Sequence, residues 1–233
     1  MSFSKALPHI FLCGLFCSVI CVAGCKRDTP AKNAAETTAA TKQPSVERSN
    51  IVFFGNSLTA AYQLSPEQGF PALIQQKIDA LHLSYQCINA GLSGETTADG
   101  VQRVDWILQQ PVGIFVLELG GNDALRGLPV TDSKKNLQAI LDKVKAKYPA
   151  CQFVIAGMQA PPNLGKTYTS AFKNMFVELA GSNKAALIPF LLENVAAHPD
   201  LNLEDGIHPN VEGQKIVAEN VWKILRPLLD SAN

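Results

Sequence analysis

Ser57 stands in the run Gly55-Asn56-Ser57-Leu58, and near the end of the chain the run Asp205-Gly206-Ile207-His208-Pro209 brings a carboxylate close to an imidazole. A serine hydroxyl is a weak nucleophile until a base takes its proton. An imidazole held in one tautomer by a carboxylate is the usual base at neutral pH. Asp205 and His208, with Gly206 easing the turn between them, could pair through Nδ1 and leave Nε2 facing Ser57. The order along the chain is Ser, Asp, His. A glycine-bracketed serine at a strand-to-helix turn also aims backbone N–H groups outward, as a nucleophile with a built-in oxyanion donor requires. Each run alone has a plainer reading: Ser57 as a helix N-cap, the Asp–His pair as a capped surface turn. The Gly-x-Ser-x-Gly elbow of ordinary α/β-hydrolases is absent, because Thr59 sits where its second glycine would be.

Such groups can act together only if the fold brings them to one place. Five short apolar runs, 51–55, 85–90, 113–119, 153–158 and 186–190, have strand length and no clean alternation of apolar and polar residues. That pattern suits strands covered on both faces. Between them the spacing is helical: Phe70, Leu73, Ile74, Ile78 and Leu81 follow one face, with Pro71 in the first turn. Val217, Val221, Ile224, Leu225 and Leu228 repeat the pattern near the end, with Asn210 as N-cap. Strand and helix alternating in this way predict an α/β fold, a three-layer α/β/α sandwich, flavodoxin-like, with a five-stranded parallel sheet of order 2-1-3-4-5. In such sheets ligands sit beyond the carboxyl ends of the strands. Ser57 follows the first strand, Asn89-Ala90-Gly91-Leu92-Ser93-Gly94 the second, and Gly120-Gly121-Asn122-Asp123 the third, so all three should meet on one rim.

Taken together, Gly55-Asn56-Ser57-Leu58, Gly91, Gly120-Gly121-Asn122-Asp123 and Asp205-Gly206-Ile207-His208-Pro209 resemble the four blocks of the SGNH/GDSL hydrolases. Leu117-Glu118-Leu119-Gly120-Gly121-Asn122-Asp123 and Leu125-Arg126-Gly127 are most similar to the bacterial thioesterase I, lysophospholipase and arylesterase group. The resemblance implies a serine esterase that hydrolyses carboxylic esters or thioesters through an acyl-enzyme on Ser57. It implies His208 as general base and acid, Asp205 as its orienting partner, and an oxyanion hole made by Ser57 N–H, Gly91 N–H and the Asn122 amide. No metal or organic cofactor is implied. Asn56 departs from the family's Gly-Asp-Ser-Leu block; it keeps an acceptor and tolerates a tight turn, so altered hydrogen bonding is expected rather than loss of activity. Two alternatives stand beside this reading: an esterase of O-acetylated carbohydrate or peptidoglycan, and a tethered binding module without catalysis.

Leu125, Leu128, Pro161, Pro162 and Leu164, in the loops after the third and fourth strands, could wall a groove for a small-molecule acyl ester or thioester, or be ordinary loop packing. Arg126 could face an anionic end of a substrate, or simply be solvated. Glu118, a lone acid in an apolar strand, reads as a paired structural carboxylate. His82 and His198 have no ligand-spaced neighbour, so no metal site is expected. Twenty basic and twenty acidic residues balance, without a basic cluster interleaved with aromatics, which argues against nucleic acid as a partner. A monomer is expected.

The chain has 233 residues, enough for one globular domain with appendages. Lys5 followed by the apolar stretch 10–23 reads as a signal peptide over residues 1–24, too short to span a bilayer comfortably. Val22-Ala23-Gly24-Cys25 resembles a lipoprotein lipobox and implies lipid on Cys25, hence export and membrane anchoring. Lys26 in the next position implies the periplasmic face of the outer membrane in a Gram-negative host. The remainder of residues 25–49 is Ala-, Thr-, Lys-, Glu-, Gln- and Pro-rich and reads as a flexible tether, ahead of a hydrolase domain over 50–233. Of the later cysteines, Cys87 falls in the second predicted strand and Cys151 opens the fourth, which are not neighbours in the expected sheet; two free thiols are expected.

Overall fold

The computed structural model describes residues 49–230. The leader, Cys25 and nearly all of the tether lie outside the described residues. Five parallel strands, β1 (Ser49–Gly55), β2 (Tyr85–Gly91), β3 (Ile114–Glu118), β4 (Gln152–Ala156) and β5 (Ala186–Ile188), form one sheet of order β2-β1-β3-β4-β5. The expected topology is therefore the observed one. Burial explains the continuous apolar runs. All five residues of β3 and the last five of β1 are buried, as central strands covered on both faces must be, while edge strand β2 keeps partly exposed positions.

The crossovers are α2 (Phe70–Ala80) between β1 and β2, α3 (Thr97–Ile107) between β2 and β3, α5 (Val130–Lys147) between β3 and β4, and α6 (Gly165–Asn183) between β4 and β5. Two one-turn helices, α1 (Ser57–Ala60) and α4 (Gly121–Leu125), follow β1 and β3, and α7 (Val211–Asp230) closes the domain. From β1 the chain steps one way along the sheet to β2 and then back past β1 to β3. Right-handed crossovers therefore put α2 on one face and α3 on the other. Accordingly α2 packs with α7, whereas α3, α5 and α6 pack in a row. Phe70, Ile74 and Ile78 of α2 are buried, as are Val217, Val221 and Leu225 of α7; Leu81 instead follows the end of α2 and is exposed. Asn210 caps α7, its Oδ1 accepting from the N–H groups of Glu212 and Gly213 at 3.0 Å each.

Cys87 lies in β2 and Cys151 just ahead of β4, with β1 and β3 between those strands; both thiols are free. Burial pushes each up to about 12, so both stay protonated and unreactive at neutral pH. The register aligns Gly55 of β1 with Gly91 of β2 on one side and Glu118 of β3 on the other. The loops after these three strands consequently start at one level.

Candidate active site

The serine loop is built from the end of β1. Asn56 is the N-cap of α1, its Oδ1 accepting from Leu58 N–H at 3.0 Å, so the amide does at this position what an aspartate could do. Behind the loop lies Glu118, fully buried. Its Oε2 accepts from Asn56 N–H at 3.0 Å and Thr59 O–H at 2.8 Å, while Oε1 has no partner among the described residues. A Cβ on Gly55 would collide with Thr59 Oγ1 and this carboxyl, which is why the strand ends on glycine. The paired carboxylate expected at 118 is thus not an ion pair: it is held by neutral donors alone. Burial outweighs these hydrogen bonds and raises its pKa to about 7.

An acid whose folded pKa lies above its unfolded one stabilises the fold below the unfolded value. That contribution fades as pH rises through the folded value. Glu118→Gln keeps an acceptor for both donors and cannot ionise. Its melting temperature relative to the parent should therefore climb between pH 5 and pH 9, on the order of a few °C, in a thermal melt series. A difference that does not change with pH would contradict the raised pKa.

The imidazole comes from the loop before α7. His208 Nε2 lies 2.8 Å from Ser57 Oγ, and His208 Nδ1 lies 2.6 Å from Asp205 Oδ2. Asp205 Oδ1 accepts from the N–H groups of Ile207 at 2.8 Å and His208 at 3.0 Å. One carboxylate therefore shapes the loop with one oxygen and orients the imidazole with the other. Partial burial raises its pKa, but these backbone bonds and the His208 side chain prevail and bring it down to about 2. Gly206, at φ +67°, makes the reversal that non-glycine residues resist. The base of the loop is closed by Leu203 N–H donating to His208 C=O at 2.7 Å and by an antiparallel bridge between Asn202 and Pro209. The Tyr62 ring covers the imidazole at a centroid distance of 4.5 Å. With Nδ1–H donated to Asp205, Nε2 is left as acceptor for the Ser57 hydroxyl.

Three donors were expected for an oxyanion. Ser57 N–H bonds to no acceptor among the described residues, and Asn122, in the first turn of α4, shares the groove with Ser57 and His208. Asn122 Nδ2 donates one N–H to Glu95 C=O at 2.9 Å and has a second to offer. Gly91 differs: its N–H is taken by Asn89 Oδ1 at 2.9 Å. A Cβ there would run into the backbone of Ala60, so this glycine allows α1 to lie against β2. The available donor on that loop is Gly94, at φ +84°, whose N–H meets no acceptor among the described residues and whose neighbour Glu95 holds the Asn122 amide. Both glycines are visible in the sequence; only the Asn89 contact tells them apart.

A groove of about 600 Å³ opens beside Ser57 and His208, a size common for small-molecule sites. Leu125, Pro161 and Pro162 line it. Leu128 and Leu164 are not among its lining residues. The chain turns at Gly127, φ +63°, and folds Leu128 back, with its N–H on Asp123 C=O and its C=O on Tyr168 O–H at 2.7 Å. Leu164 ends the short turn leading into α6 and is half-buried. Met158, Phe190, Leu192, Ala196 and Ile207 add to the apolar wall. Met158 and Phe190 could have been read from the sequence as the residues just past β4 and β5, where sheet loops converge. Arg126 Nη2 donates to Gly94 C=O at 2.9 Å and is otherwise exposed.

The description of the GDSL-like Lipase/Acylhydrolase family matches residues 53–216. Esterase TesA of Pseudomonas aeruginosa is 37% identical over 180 residues, covering 77% of this chain and 89% of that protein. Thioesterase 1/protease 1/lysophospholipase L1 of Escherichia coli K12 is 34% identical over 181 residues, covering 77% of this chain and 85% of that one. Among solved structures, the psychrotrophic esterase EstA from Pseudoalteromonas sp., inhibited by monoethylphosphonate, is similar at a TM-score of 0.73 and 32% identity, covering 78% of this chain and 98% of its own. The matched span contains the Ser57 loop, the Asn122 loop and the Asp205–His208 loop, and the chain belongs to the GDSL-like lipase/acylhydrolase family, the SGNH-type hydrolases of ester bonds.

Proposed function

We propose that this protein is a serine esterase hydrolysing carboxylic esters or thioesters of acyl chains through an acyl-enzyme on Ser57. The observation that carries the reading is the unbroken chain Ser57 Oγ, His208 imidazole, Asp205 carboxylate, at 2.8 and 2.6 Å, opening into an apolar groove. In the first half-reaction Ser57 Oγ bonds to the substrate carbonyl carbon as its proton passes to His208 Nε2. The negative oxygen is received by Ser57 N–H, the free N–H of Asn122 and, in place of Gly91, Gly94 N–H. Collapse breaks the C–O or C–S bond, and His208 returns the proton to the departing alcohol or thiol. Water then gives a proton to His208 as it attacks the acyl carbon. The carboxylic acid leaves and Ser57 regains its proton.

The test is a series of chromogenic esters of increasing acyl length. Turnover rising from acetyl to medium-chain esters is expected, because added methylenes enter the wall formed by Leu125, Met158 and Phe190. Acetyl-only turnover would favour an O-acetyl carbohydrate substrate, and no turnover with any ester would overturn the reading. Within it, Asn122→Ala should lower kcat on the order of a hundred- to a thousandfold with little change in KM. Steady-state kinetics showing near-parental kcat would remove Asn122 from the oxyanion hole.

Export and anchoring through Cys25 form part of this proposal, supported by the Val22-Ala23-Gly24-Cys25 run after an apolar stretch. Labelled fatty acid should enter the protein in cells and be lost in Cys25→Ala; equal labelling of both would contradict the anchor.

A further inference from the structure

The Asn122 amide can serve an oxyanion only if its nitrogen, not its oxygen, faces the groove loop, and the structure shows what selects that orientation. Glu95 C=O is an acceptor with nothing to donate, so it holds Nδ2, at 2.9 Å, and would repel Oδ1. The position of that carbonyl is in turn set by the Glu95 side chain, which is buried. Arg103, from α3, grips it through two guanidinium nitrogens at 2.5 Å each: Nε on Oε1 and Nη2 on Oε2. Nη2 also donates to Ala90 C=O near the end of β2 at 3.0 Å, and the guanidinium lies 4.3 Å from the centre of the Phe54 ring at the end of β1. One cation thus ties the ends of β1 and β2 to the loop 92–95, which carries the free Gly94 N–H and orients Asn122. Neither Arg103 nor Glu95 lines the groove.

We infer that Arg103 and Glu95 are positioning residues for the oxyanion hole: their ion pair, with its carboxylate buried and its guanidinium partly so, fixes the Glu95 carbonyl that aligns the Asn122 amide and the loop that presents Gly94 N–H. The inference rests on the esterase reading above. The pair is not explained by stability alone, since apolar residues of similar volume commonly replace a buried ion pair without loss of stability. Its geometry, a planar fork with three acceptors and a stacked ring, is one that lysine cannot reproduce.

The experiment is a double-mutant cycle with Asn122→Ala, read in kcat, KM and the rate of inactivation by an organophosphonate. Glu95→Gln and Arg103→Lys should lower kcat roughly ten- to a hundredfold, with KM within about twofold. Phosphonate inactivation should slow in parallel. In the Asn122→Ala background the same substitutions should cost less, because of the two donors they place only Gly94 N–H is left to disturb. Removing one charge could unfold the domain, so the double variant Arg103→Met with Glu95→Leu provides a folded protein without the ion pair. It should melt cooperatively and show the same kcat loss. Full kcat in that double variant, or losses of equal size with and without Asn122, would overturn the inference. Absence of any effect of Ser57→Ala and Asn122→Ala themselves would instead overturn the esterase reading and this inference with it.

Discussion

Ser57→Ala and His208→Ala are each expected to lower kcat on the order of a millionfold, and the two together no further. In the proposed mechanism hydroxyl and imidazole, 2.8 Å apart, act as a unit: the proton leaves Oγ for Nε2 as the new bond forms, so removing either partner removes the whole step. What remains is the contribution of binding and of the oxyanion donors, roughly a thousand- to ten-thousandfold over water. Steady-state kinetics of both single variants and the double variant with a chromogenic ester measures this. Additive losses would mean that the two side chains work independently, contrary to the geometry.

Asp205→Asn should cost roughly ten-thousandfold at neutral pH while leaving the loop intact. An asparagine at 205 can keep its oxygen on the Ile207 and His208 N–H groups, where Oδ1 now sits. Its NH2 then faces His208 Nδ1 and forces that nitrogen to accept. The ring proton moves to Nε2, and the acceptor that Ser57 needs is lost. Asp205 also sets a limit on the pH profile. With its pKa at about 2, below that of an ordinary carboxyl, it stays ionised as pH falls from neutral towards 3. Its support of the loop is present above the ordinary carboxyl range and is lost only as pH falls through about 2. Activity lost in mild acid therefore reports some other group. An acid limb of kcat/KM unchanged in Asp205→Asn, with full activity at neutral pH, would contradict the assigned role.

Much of this was legible in the residues. The apolar runs marked each strand to within a few positions, because a parallel sheet buries its strands on both faces. Asn210 showed its cap, and the Asp205–His208 run its pairing, because each is local. What failed to read was what depends on a partner distant in the chain or on which way a turn folds. Gly91 and Gly94 have the same side chain, and only Asn89 Oδ1 on Gly91 N–H shows that the first is committed. Leu128 looked equivalent to Leu125, but the turn at Gly127 carries it out of the groove. Glu118 read as a paired structural carboxylate, but its partners, Asn56 N–H and Thr59 O–H just past β1, lie far from it in the chain. Arg103 carries no motif at all; its role shows only through Glu95, Ala90 and the amide beyond them.

The most direct measurement is intact-mass and peptide mapping after exposure of the purified protein to an ethyl phosphonate ester. A single phosphonyl group on Ser57 is predicted, formed in step with loss of esterase activity and suppressed when His208 is replaced by alanine. An adduct on a different residue, or full labelling of Ser57 without His208, would contradict a hydroxyl made nucleophilic by that imidazole.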